Sequence, residues 1–472
     1  MKDIIESISH FQGELVYNLN HHREKFLHLE HDLGKAVKTL NLSTYLRCCG
    51  AAKTKGYPLV HLFYAMLLLP FLNKTFTALW RHFFFLEHLR ARKDTYYRAL
   101  KYQGIHWRAL ISRLCLKAIA SVEPVPLREK LLIADDTINP KRGKRIELTS
   151  YVRDHTHGRT VLGMSHLVLS YFDGKSIFPL DFSIHTSSKR PKESFSKAMD
   201  GRTVASKRRK EAFRKKTDLL IEMIQRAWNH GVDACFVLFD SWFASPKLIR
   251  AVYGICYEVI CQLKRNNFRY LYQGRSYTLK RLYREVAQEE MHYLPALDLY
   301  TCALIVEIPD FHTVTLVFSK SKKATRWVVF LSTDTSLTGQ QIIETYAKRW
   351  AIELFFKDCK QLLHFGREQN QDFDAILAHH SLVFIRYILL AYILRAKGIY
   401  SVVGTLFEKL TDQILERTYA RRVMDYFKLL LCLSIEILSL KIPREKVSQL
   451  LQLIDYLVES KLQIPPKIVC ES

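Results

Sequence analysis

Leu131-Leu132-Ile133-Ala134-Asp135-Asp136-Thr137 is a short apolar run that ends in two acids. Four consecutive apolar residues suit a strand buried on both faces, with carboxylates at its exit. Side chains alternate along a strand, so only one of Asp135 and Asp136 can face a site built at that exit. Val161 to Ser170 and Ser176 to Ser183 repeat the strand pattern, joined at Asp173-Gly174, a pair that favours a tight hairpin turn. An amphipathic helix is predicted from about Glu211 to Asn229. Cys235-Phe236-Val237-Leu238-Phe239 then reads as another buried strand, and it too ends in an acid, Asp240.

The order is therefore strand, strand, strand, helix, strand, with an Asp closing the first and the fourth strand. It matches a ribonuclease-H-like nuclease core, although many α/β proteins begin in a similar way. From about 257 to 333 the chain is again strand-rich, in Glu258 to Lys264, Tyr300 to Glu307, Val314 to Ser319 and Trp327 to Ser332. That stretch reads as a β-rich insertion before the next strong helix. Both ends read as helical. Turn breakers fall at Gly56-Tyr57-Pro58 and Pro124-Val125-Pro126, and late helices are predicted over Ile376 to Lys397 and Pro443 to Ser460. The stripe Leu450, Leu453, Ile454 and Leu457 on the last of these is expected to pack on its own domain. The expected fold class is α/β, a ribonuclease-H-like catalytic core interrupted by a β-rich insertion, with helical N- and C-terminal regions. The divisions are 1–125 for DNA binding, 126–372 for catalysis with the insertion at 257–333, and 373–472 as a place for dimer contacts.

Composition narrows the partner. The 472 residues are 48% hydrophobic and 25% charged, the balance of an ordinary globular protein. Lys and Arg number 71 against 46 acids, a formal charge of +25. A surplus that large repels itself unless it meets a polyanion, and nucleic acid leads because neutralised phosphates release counterions. An acidic membrane surface would need an anchor. The opening MKDIIESISHFQGEL lacks a signal peptide's apolar core, and the apolar runs Leu59 to Leu72 and Leu382 to Leu394 are interrupted by His61, Pro70 and Arg386. No membrane association is expected, and localisation is expected to be cytoplasmic, near the bacterial nucleoid. Ten cysteines without a CxxC pair suit a reducing compartment and argue against structural zinc.

Several basic clusters could carry DNA contacts. Arg81-His82, Arg90 to Lys93 and Arg98 to Lys101 are equally well read as solvated helix faces. The run from Lys189 to Lys216, with Lys207-Arg208-Arg209-Lys210 at its densest, is a candidate phosphate track. The alternating histidines of Asp154-His155-Thr156-His157 are read as structural, since such a pair lacks further ligands.

The most informative segment is ETYAKRWAIELFFKDCK, Glu344 to Lys360. At about 100° per residue, Tyr346, Arg349, Glu353 and Lys360 fall within roughly a 60° arc of a helix. Phe355 centres the opposite side, with Ile352 and Phe356 toward one edge. Arg349 and Glu353 could be an ordinary i,i+4 pair. That leaves unexplained why Tyr and Lys share the ridge and why two acids close buried strands upstream.

The spacing Tyr346-x2-Arg349-x3-Glu353-x6-Lys360 resembles the signature of the YREK group of insertion-sequence transposases, the insertion-sequence-four class of DDE enzymes. Asp240 in Phe239-Asp240-Ser241-Trp242-Phe243 resembles the segment carrying that group's second Asp, and Asp135-x-Thr137 its first. The resemblance covers about 130–365. It implies Asp135, Asp240 and Glu353 as catalytic metal ligands, with Asp136 as the alternative first Asp. It further implies two Mg²⁺ (or Mn²⁺) ions and phosphate contacts from Tyr346, Arg349 and Lys360. Trp327 takes the position of an aromatic that stacks on a flipped base, a core Trp on an insertion strand being the other reading, while Trp350 and Trp242 are assigned to packing. The implied partner is double-stranded DNA, both transposon terminal inverted repeats and target, bound by a homodimer. The implied activity is cleavage at transposon ends and strand transfer. A DNA-binding regulator without activity, or a ribonuclease-H-like nuclease without strand transfer, are the alternatives.

Overall fold

The computed structural model describes residues 32–51, 56–72, 91, 93–154, 158–187, 189, 201–322, 326–398, 402–438 and 442–461. These fall into two compact units, 100–400 on one hand, and 1–99 with 401–472 on the other.

The larger unit is built on one mixed sheet. Its strands are β1 (Leu131–Pro140), β2 (Ser150–Asp154), β3 (Arg159–Phe172), β4 (Ile177–His185), β5 (Phe236–Phe239) and β6 (Glu258–Gln262), followed by β7 (Arg269–Tyr272), β8 (Arg275–Thr278), β9 (His292–Leu294), β10 (Leu299–Glu307), β11 (Thr313–Ser321) and β12 (Val328–Ser332). β3 runs antiparallel to β1 and β4, and β5 and β6 run parallel to β1 and to each other. The order β4-β3-β1-β5-β6 is the ribonuclease-H-like arrangement. β1 earns its central place by composition, since Leu131 to Ala134 are all fully buried. The β3–β4 turn forms at Asp173-Gly174: Asp173 Oδ1 accepts the amides of Lys175 and Ser176, and Gly174 takes φ +81°.

Two readings of the chain change here. β6, assigned to the insertion, is the fifth core strand, because its apolar residues pair in parallel with β5. The strands after it do not form a separate layer: β12 pairs antiparallel with β6, so β12, β11, β10, β7 and β8 extend the core sheet outward.

Helices α1 (Trp107–Ala120), α2 (Val204–Glu211), α3 (Lys216–Asn229), α4 (Pro246–Gly254), α5 (Gly339–Ala347), α6 (Trp350–Gln361) and α7 (Phe373–Ala396) cover the sheet. α1 packs on β4 and α7, so the segment before 125 and the one after 373 both contribute to the core unit. Their separation at those numbers follows helix content, whereas compactness follows burial. α7 is apolar and long enough to cross a membrane by composition alone, but 89% of that stretch is buried and Arg386 is only 2% exposed, so it serves as a core helix. The amphipathic helix expected from 211 begins instead at Lys216, and part of the basic run before it forms α2.

The smaller unit is helical, with Asp32–Thr39, Leu42–Cys48, Leu59–Leu68, Val403–Ile437 and Arg444–Lys461. Phe71 stacks on Phe407 at 4.8 Å in its core. Leu450 and Leu453 are exposed, contrary to the expected packing of that stripe, and the side chain of Leu457 lies outside the described residues. Arg81-His82, Arg90 and His155 to His157 also lie outside them.

Candidate active site

Parallel pairing puts two acids side by side. Ala134 and Phe239 are partners in the β1–β5 register, so Asp135, in the middle of β1 rather than at the exit expected for it, lies beside Asp240, the first residue past β5. Asp240 Oδ1 accepts the amides of Trp242 at 2.9 Å and Phe243 at 3.3 Å, fixing the turn that follows β5.

Alternation separates the two candidate first acids. Asp135 faces α6, where its Oδ2 meets an Arg349 guanidinium nitrogen at 2.6 Å. Asp136 faces α3, where it accepts from Lys216 and from Ser165 Oγ. Asp135 is therefore the acid on the side of Glu353, and Asp136 is engaged on the other face.

Tyr346, Arg349, Glu353 and Lys360 do come together, though not on one regular helix. α5 ends at Ala347 and α6 begins at Trp350, with Arg349 at the junction in helical backbone geometry. Arg349 and Ile352 amides bond three residues back, a tightened turn that keeps the ridge aligned. Ile352, Phe355, Phe356 and Cys359 bury the opposite side, and Phe355 meets Tyr387 of α7 edge-on. Arg349 also reaches Glu353 Oε1 at 3.3 Å and lies over the Tyr346 ring. Lys360 Nζ donates to Thr137 Oγ1 at 2.7 Å, and Thr137 lies two residues past Asp135 on the same strand face.

Burial raises the Asp135 carboxyl to about 7; Arg349 and the Asp136 amide oppose this, and the charges of Asp240 and Glu353 add to it. Burial likewise raises the Tyr346 phenol and lowers the Lys360 amine. Asp135 and Glu353 share the Arg349 guanidinium, and the Asp240 charge also acts on the partly desolvated Asp135 carboxyl. The donor set is all oxygen, which suits a hard divalent ion. Among the described residues, no three acidic, His or Cys side chains stand close enough together to ligate one ion in this arrangement.

The raised Asp135 value predicts a pH effect. Between about pH 4 and 7 the folded state holds a proton that the unfolded state has lost, so the ion-free protein loses stability as pH rises through that window. Asp135→Asn removes this loss. In EDTA, the variant is expected to gain on the parent by on the order of 1–3 kcal/mol between pH 5 and 8, read from denaturant midpoints. A difference that stays flat with pH would contradict the electrostatic account.

Three proposed DNA contacts have different surroundings from those expected. Arg208 is buried, donating to the Phe182 carbonyl at 2.8 Å and pairing with Glu211. Arg209 is buried between two acids, bonding both oxygens of Glu147 at 2.7 and 3.0 Å and both of Asp374 at 2.7 and 3.1 Å. These arginines are internal clamps and do not face a phosphate track; of Lys207-Arg208-Arg209-Lys210 only Lys207 and Lys210 are exposed, while residues 190–200 of the basic run lie outside the described residues. Trp327 is 9% exposed, stacked on Tyr283 at 4.4 Å with the Arg265 guanidinium over its ring, so it is packed rather than open to a base. Conversely, Trp350 and Trp242, assigned to packing, are 61% and 46% exposed beside Arg349 and Asp240.

A buried chain behind Lys360 had no signal in the sequence. His166, the register partner of Thr137, meets His380 at 3.0 Å, His380 meets Glu368 at 3.0 Å, and Glu368 pairs with Lys141. Its members come from four separate segments, so no local motif could announce it.

Two family models match the chain: a DDE superfamily endonuclease over residues 49–281 and a transposase DDE domain over 204–389. Together with the ribonuclease-H-like core, they support a transposase of the DDE class, a class of nucleic-acid-cleaving enzymes. A search of curated proteins found no match.

Proposed function

We propose that this protein is a DNA transposase of the YREK group that cleaves DNA at transposon ends and joins them to target DNA. The observation that supports the reading is Arg349 bridging Asp135 and Glu353, with Asp240 on the strand that pairs beside Asp135. Asp135, Asp240 and Glu353 would hold two Mg²⁺ or Mn²⁺ ions. When bound, such ions supply Lewis acidity to the attacking and leaving oxygens of an in-line displacement at phosphorus.

The remaining chemistry belongs to the chain. Arg349 neutralises Asp135 in the arrangement described, and is available to a phosphate once Asp135 has another partner. Its planar fork suits two phosphate oxygens, whereas Lys360, steered by Thr137, offers a point charge. The Tyr346 phenol, kept neutral by burial, can donate a hydrogen bond to a third phosphate oxygen. Exposed Trp350 and Trp242 give apolar faces beside the acids on which a base could stack. Double-stranded DNA is the substrate, and a homodimer on paired ends is the form that would bring two cut ends to one target. Cytoplasmic localisation goes with that substrate.

The test is a joining assay. Purified protein, Mg²⁺, a duplex from the DNA flanking its gene and a supercoiled target plasmid should yield the duplex joined to the plasmid through a 3′-hydroxyl. Cleavage without any joined product would favour a nuclease, and binding without cleavage a regulator.

A further inference from the structure

With Arg208 and Arg209 committed to internal acids, the charge surplus must meet DNA elsewhere. The loop between β1 and β2 reads Lys141-Arg142-Gly143-Lys144-Arg145-Ile146-Glu147-Leu148-Thr149. Arg142, Lys144 and Arg145 are exposed, and none pairs with any described acid. Both sides of this triplet are tied into the core. On one side, Lys141 Nζ donates to the Gly366 carbonyl at 3.0 Å and pairs with buried Glu368. On the other, Ile146, Glu147 and Leu148 are buried. Glu147 carries the Arg209 clamp, and its carboxylate also accepts the Phe373 amide at 2.8 Å. Leu148 is held at φ +59°, a left-handed conformation costly for a branched residue. A solvated surface loop needs none of these ties.

The loop also continues the line of the site. Along β1, Asp135 faces Arg349 and Thr137 holds Lys360. Asn139 packs so closely on the segment after α6 that a Cβ added at Gly366, which takes φ +82°, would clash with the Asn139 side chain at 2.8 Å. Lys141 then joins that same segment, and exposed Arg367 adds a fourth cation next to it. Six residues of strand from Asp135 to Lys141 span about 20 Å, roughly six base pairs of duplex at 3.4 Å each.

We infer that Arg142, Lys144 and Arg145 form a rigid cradle for the phosphates of duplex DNA about six base pairs from the bond that is cut. This rests on the transposase reading for its register, but not for its binding readout. A pinned loop presents its cations without the ordering cost that a free lysine tail pays on binding.

The experiment uses the full chain, without Mg²⁺, and a fluorescein-labelled 30-base-pair duplex, with affinity measured across a salt series. Replacing Arg142, Lys144 and Arg145 together by Ala should lower the slope of log affinity against log salt by about 2 to 3, since each phosphate contact contributes about 0.9. Thermal unfolding should be unchanged, because the three side chains are exposed; the three single Ala variants, each lowering the slope by about 1, serve if the triple variant folds poorly. A control replacing Lys280 and Arg284, exposed in the sheet extension, should change the slope less. If the parent binds and the loop variants keep its slope, or the control lowers it as much, the inference is overturned and the transposase reading stands. If the parent does not bind duplex DNA at all, both fail.

Discussion

Glu353→Gln is expected to fold and bind DNA like the parent while cleaving it about a thousandfold more slowly. The side chain is 39% exposed, and its one described polar contact is Arg349 at 3.3 Å, which glutamine can keep through its carbonyl oxygen. Little stability is therefore at stake. What glutamine cannot keep is the negative charge that would ligate a divalent ion. Loss of a metal's stabilisation of transition-state charge costs several kcal/mol, and about 4 kcal/mol is three decades of rate. Single-turnover cleavage, run beside binding at matched salt, separates the two effects. A variant that cuts within tenfold of the parent would remove Glu353 from the ligand set.

Arg209→Ala should produce the largest loss of stability, about 3–5 kcal/mol. The guanidinium is 3% exposed and makes four hydrogen bonds to Glu147 and Asp374, which are themselves 0% and 5% exposed. Removing it leaves two buried carboxylates without their shared counter-charge, with neutral donors such as Gln103 and the Phe373 amide beside them. A loss of that size is a large part of the 5–15 kcal/mol by which a domain is usually stable. Lys207→Ala and Lys210→Ala, two residues on the same short helix, should stay within about 0.5 kcal/mol. Urea midpoints measure all three. If Arg209→Ala unfolds with the parent but binds DNA poorly, the stretch is a DNA surface and the internal role is wrong.

That contrast marks where the sequence is legible. The strand Leu131 to Ala134 could be read because burial on both faces demands an unbroken apolar run. The Tyr-Arg-Glu-Lys ridge could be read because helical spacing is local, even though a tight turn at Arg349 interrupts the helix. Arg208 and Arg209 could not, since nothing nearby distinguishes a solvated arginine from one clamped by acids 62 and 165 positions away. The same distance hides the Lys216 partner of Asp136, 80 residues on. Strand β6 has a pattern that fits either a core strand or an insertion strand, and only its parallel pairing with β5 decides for the core. Trp242 and Trp350 look like core residues by type, and only the surface reveals them beside the acids.

The choice between neighbouring acids tests the proposed site most directly. Release of 3′-hydroxyl ends, measured with Mg²⁺ on DNA flanking the gene, should be compared for the parent, Asp135→Asn and Asp136→Asn. Asp135 faces Arg349 and Glu353, and Asp136 faces Lys216. The parent and Asp136→Asn should release ends, and Asp135→Asn should not. Release by Asp135→Asn at the parent's rate, or its loss only in Asp136→Asn, would contradict the three-carboxylate site.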